Sequence, residues 1–389
     1  MNRIILSATL LLASSFIASF APVAAQNIAS SEHIQSVLQP YIDNSELSGA
    51  VVVVADRSKT LSITSVGWQD IAQKKKMAPD ALFWIASQSK PITATAVMML
   101  VEEGKINLDE PVTTYLPELQ RLKVSVIKRD TWQAEEAVNK PVTVRHLLSH
   151  TSGMSFLAGI QEQKSRIDVL PLSLSLYATT LTPLIAQPGT SYNYSNQGIN
   201  IAATVVERIT GMPFSQFLQE RLFDPLGMKN TTFFPTEQQI KKYVVPYCKN
   251  AKGHLEAVEI EQLQYPLTDR VKRHAEYAGG LFSTPEDLVK FYRMIANHGA
   301  LDGKRYLTEQ SVALMGSPCN IVPNTGYGLG WAVSDKTMGH GGAYGTESKV
   351  RKDSGVSVLY FNLGKDLPKQ EEAKKNCLDK IAELYNLEK

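Results

Sequence analysis

Strand-forming segments lie near both ends of this chain of 389 residues, and helix-forming segments fill its middle. Gly49 to Ala55 and Leu61 to Val66 predict strands near the N-terminus, and Tyr327 to Val333 and Gly355 to Asn362 predict strands near the C-terminus. Strands at both ends with helices between them imply that the ends meet in one sheet. We therefore predict an α/β protein whose helical middle, roughly residues 105–275, forms a second layer or subdomain.

Helix signals recur along the rest of the chain. They cover Ser31 to Asn44, Pro91 to Glu103, Val142 to Ser149, Gln197 to Thr210, Pro213 to Phe223, Ser283 to Ala296 and Leu367 to Leu387. The second of these segments is nearly all apolar, which predicts a buried helix. Because the chain has no internal repeat and no proline-rich linker, residues 26–389 are predicted to form a single domain.

The charge and cysteine content argue against several kinds of partner. The 40 basic and 38 acidic side chains give a formal net charge of +2, which is not the footprint of a nucleic-acid-binding protein. Cys248, Cys319 and Cys377 allow at most one internal disulfide, and their spacing matches no zinc pattern. We expect no nucleic-acid partner, no metal and no other cofactor.

The first 25 residues have the pattern of a signal peptide. Arg3 precedes an apolar run from Ile4 to Ala21, and Val23-Ala24-Ala25 supplies the small residues of a cleavage site. An uncleaved anchor is the alternative, because the run approaches the length that spans a bilayer. We expect cleavage before Gln26, export to the periplasm or the medium, and no stable membrane insertion afterwards.

Ser87-Gln88-Ser89-Lys90 is the first candidate for chemistry. A serine at the start of a buried helix and a lysine three residues later share one helix face. Free backbone N–H groups and the helix dipole favour negative charge there, and a desolvated lysine can take the serine proton. The alternatives are that Ser87 is only a helix cap, or that the same spacing in Ser125-Val126-Ile127-Lys128 is the relevant one.

Two further motifs follow. The turn-rich loop before the next helix contains Tyr194-Ser195-Asn196, where Tyr194 could act as a general base and Asn196 could donate to the lysine or a substrate. A core-packed tyrosine, or the triplet Ser191-Tyr192-Asn193, are alternatives. Gly339 to Ala343 has glycines typical of a strand that a ligand or another backbone approaches closely, although an ordinary glycine-rich hairpin has the same composition.

His146 and His150 have a spacing that can present two ligands to a metal. No glutamate between them completes a metalloprotease motif, so we do not predict a metal site.

Taken in order, Ser-x-x-Lys, Tyr-x-Asn and a late strand triplet resemble the serine β-lactamase and penicillin-binding protein superfamily. The tyrosine of the second motif resembles the class C β-lactamase branch with its related esterases and D-peptidases. The resemblance runs from about Gly49 to Asn362. Four further segments resemble sequences of the same superfamily: Arg145 to Gly153, Phe223 to Met228, Tyr277 to Ser283 and Tyr327 to Trp331.

The resemblance implies both a fold and a set of roles. The fold is a sandwich in which an antiparallel sheet is flanked by helices and a helical subdomain borders the cleft. Ser87 resembles the acylated nucleophile, Lys90 its proton partner and Tyr194 the general base. The backbone N–H groups of Ser87 and Ala343 would form an oxyanion hole, and Asn196 would complete the second motif.

One departure from the family pattern concerns the substrate. The late triplet is His340-Gly341-Gly342, where related β-lactamases carry Lys-Thr-Gly or Lys-Ser-Gly to hold the substrate carboxylate. We therefore expect a small-molecule esterase that works through an acyl-enzyme. A D-amino-acid amidase or peptidase, a β-lactamase, an acyltransferase and a penicillin-binding sensor with slow turnover are the alternatives.

Overall fold

A computed structural model describes residues 23–129, 132–159 and 166–387. Its strands, β1 to β15 in chain order, are Gly49–Ala55, Thr60–Asp70, Lys75–Lys76, Phe83–Trp84, Lys123–Arg129, Trp132–Ala137, Tyr247–Lys249, Leu255–Ala257, Phe282–Ser283, Ala300–Leu301, Lys304–Arg305, Ala332–Val333, Thr337–Gly341, Glu347–Arg351 and Ser357–Phe361. The helices, α1 to α11, are Val23–Asp43, Ser89–Glu102, Val144–Leu148, Leu172–Thr180, Asn196–Thr210, Phe214–Leu218, Asp224–Leu226, Glu237–Ile240, Pro285–Ala296, Glu309–Met315 and Gln370–Leu384.

The predicted meeting of the two chain ends is confirmed. One sheet has the order β12-β13-β14-β15-β1-β2-β3, and its neighbouring strands are antiparallel. The N-terminal and C-terminal groups join where β1 pairs with β15, in a register that places Val51 opposite Phe361. The antiparallel sandwich expected from the family resemblance is therefore the fold of this chain.

Helices cover both faces of the sheet. Strand β1 is buried along its whole length, and its side chains alternate between two apolar clusters. Val51 and Val53 face the larger cluster, which contains α2 and α9. Val52 and Val54 face a smaller cluster that α1 and α11 complete. The candidate site lies on the side of the larger cluster, because α2 follows directly from Ser87.

The middle of the chain combines short helices with small hairpins. Helix α5 packs against α2, α3 and α4, which brings its first turn beside the start of α2. Strands β5 and β6 form one antiparallel hairpin and β7 and β8 another, and neither hairpin was predicted from the sequence. The extent of the subdomain, roughly residues 105–275, stays a prediction.

One predicted strand is mostly a loop. Only Ala332–Val333 of the segment from Tyr327 to Val333 is β-strand, because two glycines bring the chain against neighbouring helices. A Cβ at Gly328 would lie 2.1 Å from the carbonyl oxygen of Met315, and Gly330 has a φ of +79°. The close approach and the left-handed backbone both end regular strand geometry.

The predicted signal peptide lies mainly outside the described residues, which begin at Val23. Helix α1 crosses the predicted cleavage point between Ala25 and Gln26. Within the described ranges, no helix combines the length and the apolar character needed to cross a bilayer.

Candidate active site

Ser87 lies in a tight turn at the entrance to the buried helix α2. The 3-10 turn Ala86–Gln88 leads directly into α2, and Ala86 has a φ of +46°. This left-handed backbone is unusual for a residue other than glycine, and such strained positions cluster at functional sites. The start of α2 has no side-chain cap, so the geometry does not support the helix-cap alternative for Ser87.

Lys90 lies one turn further along and is completely buried. Its Nζ lies 3.2 Å from Ser87 Oγ, 2.7 Å from Asn196 Oδ1 and 2.9 Å from the carbonyl oxygen of Ala278. These contacts match the three donors of an ammonium group. The alternative motif does not lie at the start of a helix, because Ser125 and Lys128 belong to strand β5.

Tyr194 and Asn196 come from the loop and first turn of α5. Ser195 caps this helix by accepting a hydrogen bond from Gly198 N, which fixes Asn196 at its first position. The Tyr194 hydroxyl lies near enough to Ser87 for the serine to favour the phenolate, and Lys90 Nζ lies 4.5 Å from the centre of the Tyr194 ring. The structure thus brings together the four side chains of the first two predicted motifs.

The alternative triplet in the same loop has a different role. Asn193 Nδ2 donates to Ser191 Oγ at 2.6 Å, and Asn193 N donates to the carbonyl oxygen of His150 at 2.8 Å. Tyr192 lies edge-on to the His150 ring, with centroids 5.9 Å apart. The Ser191-Tyr192-Asn193 triplet therefore holds the loop together, and it is Asn196 that contacts Lys90.

Burial controls the charge of the two proton-handling groups. It lowers the pKa of Lys90, and the nearby carboxylate of Glu276 opposes that change. It raises the pKa of the Tyr194 phenol, while the hydrogen bond with Ser87 works in the opposite direction. In the resting site the phenol thus keeps its proton near neutral pH, whereas Lys90 loses one more readily than an exposed lysine does.

The end of β13 approaches the Ser87 turn closely. A Cβ at Gly342 would lie 2.4 Å from the carbonyl oxygen of Ile85, so glycine is required for this backbone contact. Gly342 N donates to the carbonyl oxygen of Thr346 at 2.7 Å. Across the described ranges, no backbone hydrogen bond uses the N–H of Ser87 or of Ala343. These two groups remain available for an oxyanion.

His340, the first residue of the late triplet, is buried. Its Nε2 lies 2.9 Å from the hydroxyl of Tyr327, and its Nδ1 lies 2.6 Å from the carbonyl oxygen of Gly341. Burial lowers the pKa of His340 to about 3, so the ring is neutral. Gly341 itself is exposed. Of the predicted substrate-binding triplet, the exposed backbone of Gly341 is better placed to meet a substrate than the His340 ring.

Strand β13 lies second from the edge of the sheet, with β12 as its outer neighbour. Strand β12 pairs with Met338 and Gly339, and no strand among the described residues pairs with His340 or Gly341 on that side. The outer edge of β13 is therefore open where the strand reaches the site.

Sequence reasoning missed several residues that support the site. Glu276 is buried and accepts a hydrogen bond from Asn200 at 2.8 Å. The His150 ring packs on Tyr194 and Tyr327, with centroids 4.5 and 4.6 Å apart. The sequence did contain a signal for Glu276, because this residue immediately precedes the family-like segment that begins at Tyr277. Tyr327 begins another family-like segment.

The two histidines with metal-like spacing have separate structural roles. His146 Nδ1 accepts from the backbone N–H of Thr143 at 3.1 Å, and His150 Nδ1 accepts from Ser195 N at 3.1 Å. Throughout the described residues, no three His, Cys, Asp or Glu side chains are grouped as metal ligands. The three cysteines are free thiols.

Comparison with known proteins agrees with this geometry. The family model described as Beta-lactamase matches residues 34–376. Penicillin-binding protein 4 of Amycolatopsis lactamdurans is 31% identical over 73% of this chain and 73% of its own. Esterase EstB of Burkholderia gladioli is 28% identical over 84% of this chain and 88% of its own.

A solved structure shares the fold. EstCE1, described as a hydrolase with promiscuous acyltransferase activity, matches with a TM-score of 0.77 at 23% identity, covering 92% of this chain and 100% of its own. The sheet joins both chain ends, the site unites three motifs in the expected order, and the family model spans nearly the whole described chain. The protein belongs to the β-lactamase family.

Proposed function

We propose that this protein is a serine hydrolase that forms an acyl-enzyme on Ser87, and that its substrates are small-molecule esters. The observation that carries this proposal is the 3.2 Å contact between Lys90 Nζ and Ser87 Oγ. A nucleophile needs an adjacent group that accepts its proton, and burial makes Lys90 a better acceptor than an exposed lysine.

The first half of the proposed reaction transfers the acyl group. Ser87 Oγ forms a bond to the ester carbonyl carbon while its proton moves to neutral Lys90. The backbone N–H groups of Ser87 and Ala343 stabilise the oxyanion. When the ester C–O bond breaks, Tyr194 gives its phenolic proton to the departing alkoxide and takes one from the Lys90 ammonium. The products are an acyl-serine and an alcohol.

The second half restores the enzyme. Water takes the position that the alcohol has left and attacks the acyl-serine, while Tyr194 and Lys90 carry its proton towards Ser87 Oγ. A carboxylic acid leaves. In this scheme Lys90 rather than Tyr194 accepts the first proton, because burial raises the pKa of the phenol and so opposes a phenolate in the resting site.

Esters are favoured over β-lactams because the late triplet offers no positive charge. The His340 ring is neutral, and both its nitrogen atoms lie within hydrogen-bond distance of protein oxygens. A substrate carboxylate would find neither a cation nor a hydroxyl group in this triplet. EstB, a relative that matches 84% of this chain, is named as an esterase. This name also supports esters as substrates. The same nucleophile could act on D-aminoacyl amides, so a substrate panel must include them.

Replacement of Ser87 tests the proposal. Ser87→Ala should reduce kcat on p-nitrophenyl esters by at least about a thousandfold, because the nucleophile is lost, and the protein should still fold. A fluorophosphonate should label the native protein at Ser87, as found by peptide mass spectrometry. Ser125→Ala is the matched control and should remain fully active. Labelling at Ser125, or an active Ser87→Ala protein, would contradict the proposal.

We also propose that the protein is exported after cleavage before Gln26. The basic, apolar and small-residue pattern of residues 1–25 supports this proposal. N-terminal sequencing of the protein expressed in a Gram-negative host should then find Gln26 first, in the soluble periplasmic fraction. Recovery of the intact N-terminus in the membrane fraction would support the anchor alternative instead.

A further inference from the structure

Glu276 is a buried carboxylate beside the catalytic lysine. Its side chain is 3% exposed. Oε1 accepts a hydrogen bond from Asn200 Nδ2 at 2.8 Å. Among the described residues Oε2 makes no close hydrogen bond, although the backbone N–H groups of Ala278 and Gly279 face the carboxylate. An incompletely satisfied charge is costly to bury, so its presence requires a reason.

The segment that carries Glu276 also holds Lys90. The carbonyl oxygen of Ala278 accepts from Lys90 Nζ at 2.9 Å. Between these two contacts, Tyr277 N donates to Asn200 Oδ1 at 3.0 Å. Asn200 therefore fixes both the carboxylate and the backbone that positions the lysine. A small displacement of this segment would change the contact between Lys90 and Ser87.

Glu276 differs from the other groups around Lys90 because its ionised form is negative. Burial raises the pKa of Glu276 to about 7, while Lys90, the Asn200 side chain and the backbone N–H groups of Gly279 and Ala278 favour the ionised form. The Tyr194 ring centre lies 4.5 Å from Lys90 Nζ, and the positive charge of Lys90 helps to lower the pKa of His150 and of His340. Burial keeps the phenol protonated and both imidazoles neutral, because each charged form would lose its hydration. Within the described part of the chain, Glu276 is thus the ionisable group that stabilises a positive charge on Lys90.

We propose that Glu276 is a positioning residue for the reaction, which orients Lys90 and stabilises the ammonium formed when Lys90 takes the proton of Ser87. This inference rests on the proposed function, because it concerns the same proton transfer. The carboxylate does not touch the reacting atoms. It acts by setting how much positive charge the lysine can hold at a given pH.

Glu276→Gln tests the inference because it keeps the size of the side chain and removes its charge. Without the carboxylate, the pKa of Lys90 should fall. The limb of the kcat/KM-versus-pH profile that belongs to Lys90 should therefore move to lower pH by more than about one unit. A purely structural role would lower activity by the same factor at every pH.

Three variants make the experiment decisive. Glu276→Asp retains the charge and should keep the limb closer to its native position than Glu276→Gln does. Asn200→Ala removes the hydrogen bond that favours the ionised form of Glu276. It should move the limb to lower pH by a smaller amount than Glu276→Gln does. If Glu276→Gln does not fold, Asn200→Ala takes its place in the experiment. Glu207→Gln is the control, because Glu207 is a half-buried carboxylate on α5 that accepts from Phe214 N.

Two outcomes overturn the inference. One is a folded Glu276→Gln protein whose profile keeps the native limbs, and the other is an equal shift in Glu207→Gln. Fluorophosphonate labelling separates this result from failure of the proposed function. A native protein that is labelled at Ser87 but shows no shift in Glu276→Gln contradicts only the role of Glu276, whereas absence of labelling at Ser87 rejects both.

Discussion

At the scale of single residues, the contacts of Lys90 fit a neutral amine as well as an ammonium. A neutral amine has two N–H groups and one lone pair. The two shorter contacts, to Asn196 Oδ1 and the Ala278 carbonyl, are with atoms that only accept. The longest contact is with Ser87 Oγ, whose hydrogen can be donated. Lys90 can therefore present its lone pair to the serine without rearrangement.

Residue spacing predicted part of this site. Ser87 and Lys90 share a helix face, and Asn196 comes directly after a turn-rich loop at the start of a helix. Short-range sequence patterns therefore identified these three residues. Glu276 has no comparable pattern, because its importance comes from the burial of a carboxylate beside a lysine that is distant in sequence. Such a contact depends on the tertiary fold and not on periodicity.

At the scale of elements, the end of β13 carries the residues that we propose to limit which substrates bind. A Cβ added at Gly341 would lie 3.9 Å from its nearest neighbour, Thr346 O, whereas at Gly342 it would clash with Ile85 O at 2.4 Å. Position 341 can thus accept a larger side chain, whereas position 342 cannot. The fold therefore fixes the glycine at position 342 and leaves position 341 free to vary.

The double replacement His340→Lys with Gly341→Thr tests this view. The native protein should hydrolyse short-chain aryl esters with a much higher kcat/KM than nitrocefin or benzylpenicillin. A charge-assisted hydrogen bond to the substrate carboxylate contributes roughly 1.5–3 kcal/mol, so its absence costs about ten- to a hundredfold in selectivity. The double variant should narrow the gap between the two substrate classes.

Gly341→Thr alone is the matched control for that experiment. It adds the hydroxyl group without the positive charge and should change the ratio of the two kcat/KM values less than the double variant does. The buried position of His340 makes a check of folding necessary, so circular dichroism and thermal unfolding accompany the kinetics. A native protein that prefers nitrocefin over the esters would refute the preference for esters.

Element boundaries also show where sequence prediction loses accuracy. The apolar strand Gly49–Ala55 was predicted with the bounds that it has in the structure, because a fully buried strand gives a clear pattern. The hairpin of β5 and β6 was missed. The alternation of polar and apolar residues in Lys123–Arg129 is broken where Val126 and Ile127 adjoin, and half of the residues of Trp132–Ala137 are polar. A weakly apolar hairpin resembles a loop in sequence.

At the scale of the whole molecule, the sheet separates the candidate active site from the smaller apolar cluster. Ser87 and α2 belong to the side of the larger apolar cluster. On the opposite face, α1 and α11 pack together through Ile34, Leu38, Cys377 and Ile381. The first and last helices of the described chain thus close the sandwich without contributing a side chain to the site.

Leu38→Ala should therefore separate stability from catalysis. Leu38 is 0% exposed, and removing a buried leucine side chain costs about 2–5 kcal/mol of unfolding free energy, which urea denaturation measures. At 25 °C the rate of fluorophosphonate labelling of Ser87 should stay within about twofold of the native rate while the protein remains folded, because the sheet lies between the two sites. Leu181→Ala is the control, since Leu181 is 78% exposed and its loss should barely change stability. A labelling rate that falls sharply in a still-folded Leu38→Ala protein would show that the two faces of the sheet are coupled.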